Sequence, residues 1–303
     1  MRMQPLFGLF QKTITTFLTA VLIGTGCIAY GAEIATDPGD YAALPAGVDL
    51  GIMYYQHTER DKYYSNGKQL PGTVRLDTDI GLARWVHFTK IGDYVADPQI
   101  IIPFGSVKLK DGSAIGAPAL SASGVGDPLV GGTLWLVNNP EQKKWFGVSA
   151  FASLPMGNYD QNKGPVNVGQ NRWKGIFHAG YVAALSDQFI LDVIGEYAVY
   201  GDNDKYAGAK LTQDASQSLQ AHLRYVLSAT SHLALSYYHD FGGETKINGV
   251  AQKDSMDNGR WLATYATFVA PTVQIQVQAG QSAKVDNGFK ESSRLNLRIV
   301  KVF

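Results

Sequence analysis

The chain has 303 residues and a formal net charge of zero, with 45% hydrophobic and only 17% charged residues. That balance excludes nucleic acid and acidic lipid surfaces as the main partners. Glycine (33) and tyrosine (16) are abundant, which suits strands joined by tight turns and carrying amphipathic aromatics.

Residues 1–32 read as a secretory signal peptide. Arg2 and Lys12 supply positive charge, residues 13–28 are uncharged and mostly apolar, and Ala29-Tyr30-Gly31-Ala32 offers cleavage after Gly31 or Ala32. The run is short for a membrane anchor, and no stop-transfer charges follow it. The single cysteine, Cys27, lies inside it, and Gly24 stands where a lipidation box has leucine. The exported chain is therefore expected to have neither thiol nor disulfide chemistry. Beyond residue 32 no stretch of 18 apolar residues occurs, so no transmembrane helix is expected. Two destinations stay open: the periplasm, or the outer membrane as a β-barrel, whose strands show lipid only alternate residues.

Residues 33–46 form a polar lead-in punctuated by proline and glycine, expected on the periplasmic side. Strands occupy 47–303. Val48, Leu50, Ile52 and Tyr54 alternate with Asp49, Gly51, Met53 and Tyr55. Val74, Leu76, Ile80, Leu82, Val86 and Phe88 alternate with Arg75, Asp77, Asp79, Ala83 and His87, with Arg84 interrupting the apolar face. A period of two marks strands with one apolar face. Residues 96–109 make a third run, which Pro98 and Pro103 should bulge or bend because proline withholds a ladder donor. Further runs cover 127–138, 145–155 and 172–185. In the seventh, Phe189, Leu191, Val193, Tyr197 and Val199 oppose Asp192, Glu196 and Tyr200. In the eighth, Leu219, Ala221, Leu223 and Tyr225 oppose Gln220, His222 and Arg224. Runs at 232–240, 260–269 and 273–279 precede the last, in which Leu295, Leu297 and Ile299 oppose Arg294, Asn296 and Arg298 and the chain stops at Phe303. A terminal strand ending in an aromatic residue is similar to the signal read by the barrel-assembly machinery, with Lys301 standing where an apolar residue is usual.

The connections decide the topology. Those after the even-numbered strands are short, such as Ser186-Asp187 and Pro271-Thr272, whereas those after strands one, three, five, seven and nine are long and polar. An up-and-down barrel with short periplasmic turns and long outer loops predicts this alternation, and a Greek-key sandwich does not. The expectation is an all-β, transmembrane, antiparallel up-and-down barrel of about twelve strands, intermediate in bore between eight- and sixteen-stranded types. It would sit in the outer membrane of a Gram-negative cell, in contact with outer-membrane lipid. The charged faces would then line the lumen: Asp49, Arg75, Asp77, Asp79, Asp192, Glu196, Arg224, Arg294 and Arg298. Such residues either select solutes by a transverse field or pair to stiffen a wet interior, and the lead-in could narrow the bore further.

Four motifs resemble a known family. Leu44-Pro45-Ala46-Gly47, Gly124-Val125-Gly126-Asp127, Leu154-Pro155-Met156-Gly157-Asn158-Tyr159 and Asn167-Val168-Gly169-Gln170-Asn171-Arg172-Trp173 are similar to stretches of the outer-membrane proteins grouped under the meta-pathway of phenol degradation. The resemblance implies a barrel for passive uptake of a small-molecule solute, aromatic or hydrophobic. It supplies no catalytic residues and no cofactor.

Other readings compete at particular residues. Gly124 to Asp127 has no helix and no Gly-Lys-Ser/Thr after it, so it reads as a tight turn and not a phosphate cradle. Asp202-Asn203-Asp204 lacks the flanking spacing of a calcium loop. Tyr63, Tyr64, Tyr159, Trp173 and Tyr206 lie in or beside long loops, either as an aromatic vestibule or as interface-belt residues. A lipid-modifying enzyme would need a nucleophile beside His57 or His239, and no serine is evidently paired with either. The six histidines show no metal-ligand spacing. A plugged structural barrel is the remaining alternative.

Overall fold

The alternating faces of the sequence become the two surfaces of one closed wall. The computed structural model describes residues 33–303; the expected signal peptide, with Cys27, lies outside the described residues. Twelve antiparallel strands form the wall. They are β1 (Asp49–Ser65), β2 (Arg75–His87), β3 (Gln99–Asp111), β4 (Leu129–Asn139), β5 (Lys144–Ser153), β6 (Lys174–Ala184), β7 (Phe189–Tyr200), β8 (Ser216–Ser228), β9 (Ser231–Gly242), β10 (Met256–Ala270), β11 (Val273–Lys284) and β12 (Gly288–Val302). Sequence neighbours pair, and β1 pairs with β12 from Leu50↔Val302 to Tyr64↔Gly288. Closure leaves no sheet edge in hydrocarbon. The expected barrel and its strand count hold. β1 and β12 run further outward than apolar alternation indicated, because their outer halves carry polar residues on both faces.

Met53, Phe104, Val148, Leu223, Leu235 and Leu297 are each more than a third exposed. Apolar side chains so displayed are covered by lipid in a barrel of this kind. At the short-turn rim Phe303 lies against Trp85, ring centroids 5.8 Å apart, and its N–H donates to the Asp49 carbonyl at 2.9 Å. Lys301, the departure from the terminal signal, is exposed and reaches the Thr272 hydroxyl at 2.6 Å. It sits at the short-turn rim, opposite Gly51 and Val273.

The two prolines mark where β3 changes partners. Residues 94–96 pair with β4, and after Pro98 the chain pairs with β2. β3 then pairs with β4 over three positions only, Gln99↔Gly131 to Ile101↔Leu129. Past Pro103 its free side is taken by a short strand, Leu120–Val125. A proline has no ladder bond to lose at such a switch. The result is a seam in the wall, filled by the loop between β5 and β6. Val125 and Asn158 exchange two hydrogen bonds across it, both 2.7 Å, and Lys163 reaches the Ser121 carbonyl at 2.8 Å.

Two outer loops are not irregular. Asn203–Tyr206, Ala209–Gln213, Thr245–Ile247 and Val250–Ala251 make a four-stranded sheet above the barrel.

Of the two places open to the lead-in, the periplasmic side and the bore, it takes the bore. Residues 33–46 do not lie outside the barrel but run down its interior, from Glu33 beside Lys174 and Tyr200 to the short-turn rim, where Gly47 N–H donates to the Phe88 carbonyl. They show no periodicity because they form no strand. Their polar groups are matched instead by inward polar groups of the wall.

Candidate functional site: the occluded lumen

The inner segment is held along its whole length. Glu196 accepts from the N–H groups of Glu33 (2.7 Å) and Ile34 (3.0 Å), while the Glu33 carboxylate takes Lys174 at 2.5 Å and Tyr200 at 3.0 Å. Thr36 N–H donates to Gln220 at 2.8 Å, its hydroxyl lies 3.0 Å from His222, and its carbonyl receives the Tyr238 hydroxyl at 2.9 Å. Gly39 adopts φ +96°, where a side chain is strained, and its N–H donates to Asp192 at 2.7 Å. Arg298 bridges Asp37 (2.8 Å) and Asp40 (3.0 Å), and Arg84 adds a second contact to Asp40 at 3.3 Å. Burial raises the Asp37 carboxyl above its ordinary value in spite of Arg298. Burial pushes Asp40 upward too, but Arg298 and Arg84 outweigh it and hold that carboxyl below its ordinary value. Tyr41 ends the anchored run: its hydroxyl meets Ser149 at 2.7 Å, its carbonyl receives Trp135 Nε1 at 3.0 Å, and its ring lies flat on Gly180, where an added Cβ would come within 2.3 Å.

Of the nine charged residues assigned to the lumen, Asp192, Glu196, Arg224, Arg294 and Arg298 face inward. Asp192 pairs with Arg224 at 2.8 Å and Arg294 with Glu291 at 2.6 Å. The structure places the other four on the outward face of the wall, with Asp77 buried beneath its neighbours there. Asp49 meets His87 at 2.7 Å at the short-turn rim. Asp79 receives Tyr55 and His57, both at 2.8 Å, and Asp77 contacts Lys110 and Arg75 near the outer rim. The reason is that β1 and β2 are apolar on both faces at mid-height. Met53, Tyr55 and Trp85 face outward, while Ile80, Leu82 and Arg84 line the lumen. Arg84 was the available signal: an arginine in an apolar series argues that the series does not face lipid.

Above the segment lies a cavity of about 370 Å³. Its floor is Glu33, Ile34, Ala35 and Asp37; one side is apolar, with Ile80, Leu82, Ile101, Pro103, Val107 and Leu129. Of the aromatic candidates, Tyr159 and Tyr206 line this cavity. Tyr63 is buried edge-on against Phe289 at 5.0 Å, Tyr64 sits in the outer end of β1 opposite Gly288, and Trp173 is 58% exposed on the outside.

Three of the motifs meet at the seam. Asp127 accepts from the N–H groups of Gly157 (2.9 Å) and Gln170 (2.6 Å), clamping both ends of the loop to the start of β4. Gly124 leaves room for Asn158, whose side-chain oxygen would lie 2.2 Å from an added Cβ. Sequence reasoning read this motif as a turn and missed the clamp, since nothing local marks a carboxylate's distant partners.

The remaining candidates have plain structural occupations. Lys210 lies 2.6 Å from Asp202 and 3.6 Å from Asp204, taking the place a calcium ion would need. His57 and His239 both project from the outer surface, with Asp79 and, at 3.0 Å, Asp257 as partners.

A closed, lipid-faced wall around an occluded polar bore defines an outer-membrane β-barrel of the channel class. The chain belongs to the family described as the MetA-pathway of phenol degradation, whose model matches residues 60–299. It is similar to the COG4313 outer membrane channel from Pseudomonas putida F1, with 36% identity over 89% of this chain and 100% of that one and a TM-score of 0.84. A more distant likeness is to the P. putida toluene transporter TodX, at 8% identity over 88% of this chain and 92% of that one, TM-score 0.44. No curated protein sequence matches the chain.

Proposed function

We propose that the protein admits small aromatic or hydrophobic compounds passively across the outer membrane, and that they leave the lumen sideways through the seam between β3 and β4. The cavity is the observation that carries this reading. It is roomy enough for a small arene, at the lower end of ordinary ligand sites, and its apolar side ends at Pro103 and Leu129, where β3 and β4 share three paired positions. Below it the bore is filled by residues 33–41, so a straight path would need that segment to move. The family's link to phenol degradation and its likeness to a channel support a passive carrier of such cargo. A lipid-modifying enzyme is not favoured, because neither outward histidine has a hydroxyl nucleophile among its hydrogen-bond partners.

The test is uptake of radiolabelled arenes at limiting concentration by cells with and without the gene, complemented by wild type or by Asp127→Ala. Loss of uptake on deletion, with the variant altering the rate, is expected. Unchanged uptake on deletion would remove the proposal, and a normal rate in Asp127→Ala would remove the sideways route.

A further inference from the structure

The charges on the cavity wall can be accounted for one by one. Six cations line it (Arg60, Arg84, Arg172, Lys174, Arg260 and Arg294) and three acids (Glu33, Asp37 and Asp127). The acids are all engaged: Glu33 with Lys174, Asp37 with Arg298, and Asp127 with two backbone N–H groups. Arg84 is engaged with Asp40, Gln99 and Tyr54. Arg172 donates to Gln170 and Gln213 and lies over the Tyr200 ring.

The remaining three cations come together where β10, β12 and β1 pass the cavity, and they are short of carboxylates. Arg60 and Arg294 share Glu291, at 3.0 and 2.6 Å. Arg260 has only Asp240, at 3.5 Å, the outer limit of a hydrogen bond. Its guanidinium lies 4.4 Å over the Tyr238 ring. Two buried guanidinium nitrogens, Arg60 Nε and Arg260 Nε, have no partner. Three cations against two carboxylates leave one positive charge in a region withdrawn from water, and such a charge calls for a counter-ion. Arg60 and Arg260 are 6% and 7% exposed, so bulk solvent screens them weakly. Next around the wall stands the apolar side formed by Ile80, Leu82 and Ile101.

We infer that the cavity selects amphipathic monocarboxylates: molecules with a ring-sized apolar body and one carboxylate, in preference to neutral or cationic compounds of the same shape. The carboxylate meets Arg260, with Arg60 and Arg294 beside it, and the body lies against Ile80 and Leu82. A guanidinium fork matches a carboxylate in geometry as well as charge. This inference rests on the proposed uptake function and narrows its cargo.

The experiment is single-channel recording of the full-length protein in planar bilayers, with benzoate, benzyl alcohol and benzylammonium as blockers of equal size. Benzoate is expected to half-block the current at about a tenfold lower concentration than benzyl alcohol, the discrimination of one charge-assisted hydrogen bond, with benzylammonium weakest. In Arg260→Gln the ratio of benzoate to benzyl alcohol should fall toward one, heat-modifiable gel mobility confirming a folded barrel. Equal block by the three in the wild type overturns the inference and leaves uptake of arenes standing. Block and passage by none of them overturns both. If Arg260→Gln keeps the wild-type ratio, the site has been placed on the wrong cation, and the inference fails in that form.

Discussion

The two sides of the inner wall differ in kind. From β5 round to β12 the lumen face bristles with hydrogen-bonding groups, and the inner segment lies against them: Ser149, Asp192, Glu196, Gln220, His222, Gln278 and Arg298 all touch residues 33–41. On β2, β3 and the start of β4 the lumen face is largely Ile80, Leu82, Ile101, Pro103, Val107 and Leu129. A segment without regular structure must satisfy its backbone somewhere, so it keeps to the polar side. The apolar side is left clear, and under the proposed function it takes the cargo, so that occlusion and transport would be divided between two parts of one wall.

The comparison can be broken most forcefully by removing the segment. Deleting residues 33–45 should raise single-channel conductance several-fold; unchanged conductance would mean that the segment is not the constriction. Next in size is Arg298→Ala, which takes the paired cation from the buried Asp37 and leaves Asp40 with Arg84 alone. Losing one partner of a buried ion pair costs about 3–5 kcal/mol, so the segment should undock in much of the population and the conductance approach that of the deletion. Gly180→Val places a side chain where the Tyr41 ring rests. Overpacking costs about 1–3 kcal/mol, and hydrogen exchange of residues 36–44 should accelerate while the barrel strands stay protected. The apolar side is probed by Leu82→Asn, which should slow uptake of arenes a few-fold without changing ion conductance; a change in conductance alone would reverse the assignment of the two sides. The smallest effect belongs to Lys301→Ala. Exposed polar contacts contribute about 0–1 kcal/mol, so folding yield measured by heat-modifiable mobility should be the same as in the wild type.

Much of the wall was legible in the sequence, and the reasons are local. Alternation along β7, β8 and β12 and the short-long rhythm of the connections follow from how a strand displays side chains and how turns differ from outer loops. Phe303 marked the end. The face of β1 and β2 was not legible, because Met53, Tyr55 and Trp85 on one side and Ile52, Ile80 and Leu82 on the other make both faces apolar at mid-height. The place of residues 33–46 in the bore was legible only as one option: Thr36, Asp37, Asp40 and Tyr41 read as an ordinary polar stretch until their partners, more than a hundred residues away, are known. Asp127 behaves in the same way. Pairings across the lumen leave no periodic trace, whereas pairings along a strand do.

The join between β1 and β12 also bears on how the barrel comes into being. Tyr54 pairs with Arg298 and Leu50 with Val302, so the first strand must wait for the last. Bringing such distant residues together is slow, since the entropy of closing the long chain between them must be lost before any contact rewards it. Throughout that interval two strand edges stand open, and open edges invite pairing with other chains. A helper that holds the β12 edge until β1 arrives would shorten the hazardous period. Phe303, 65% exposed, lies at the rim beside that edge.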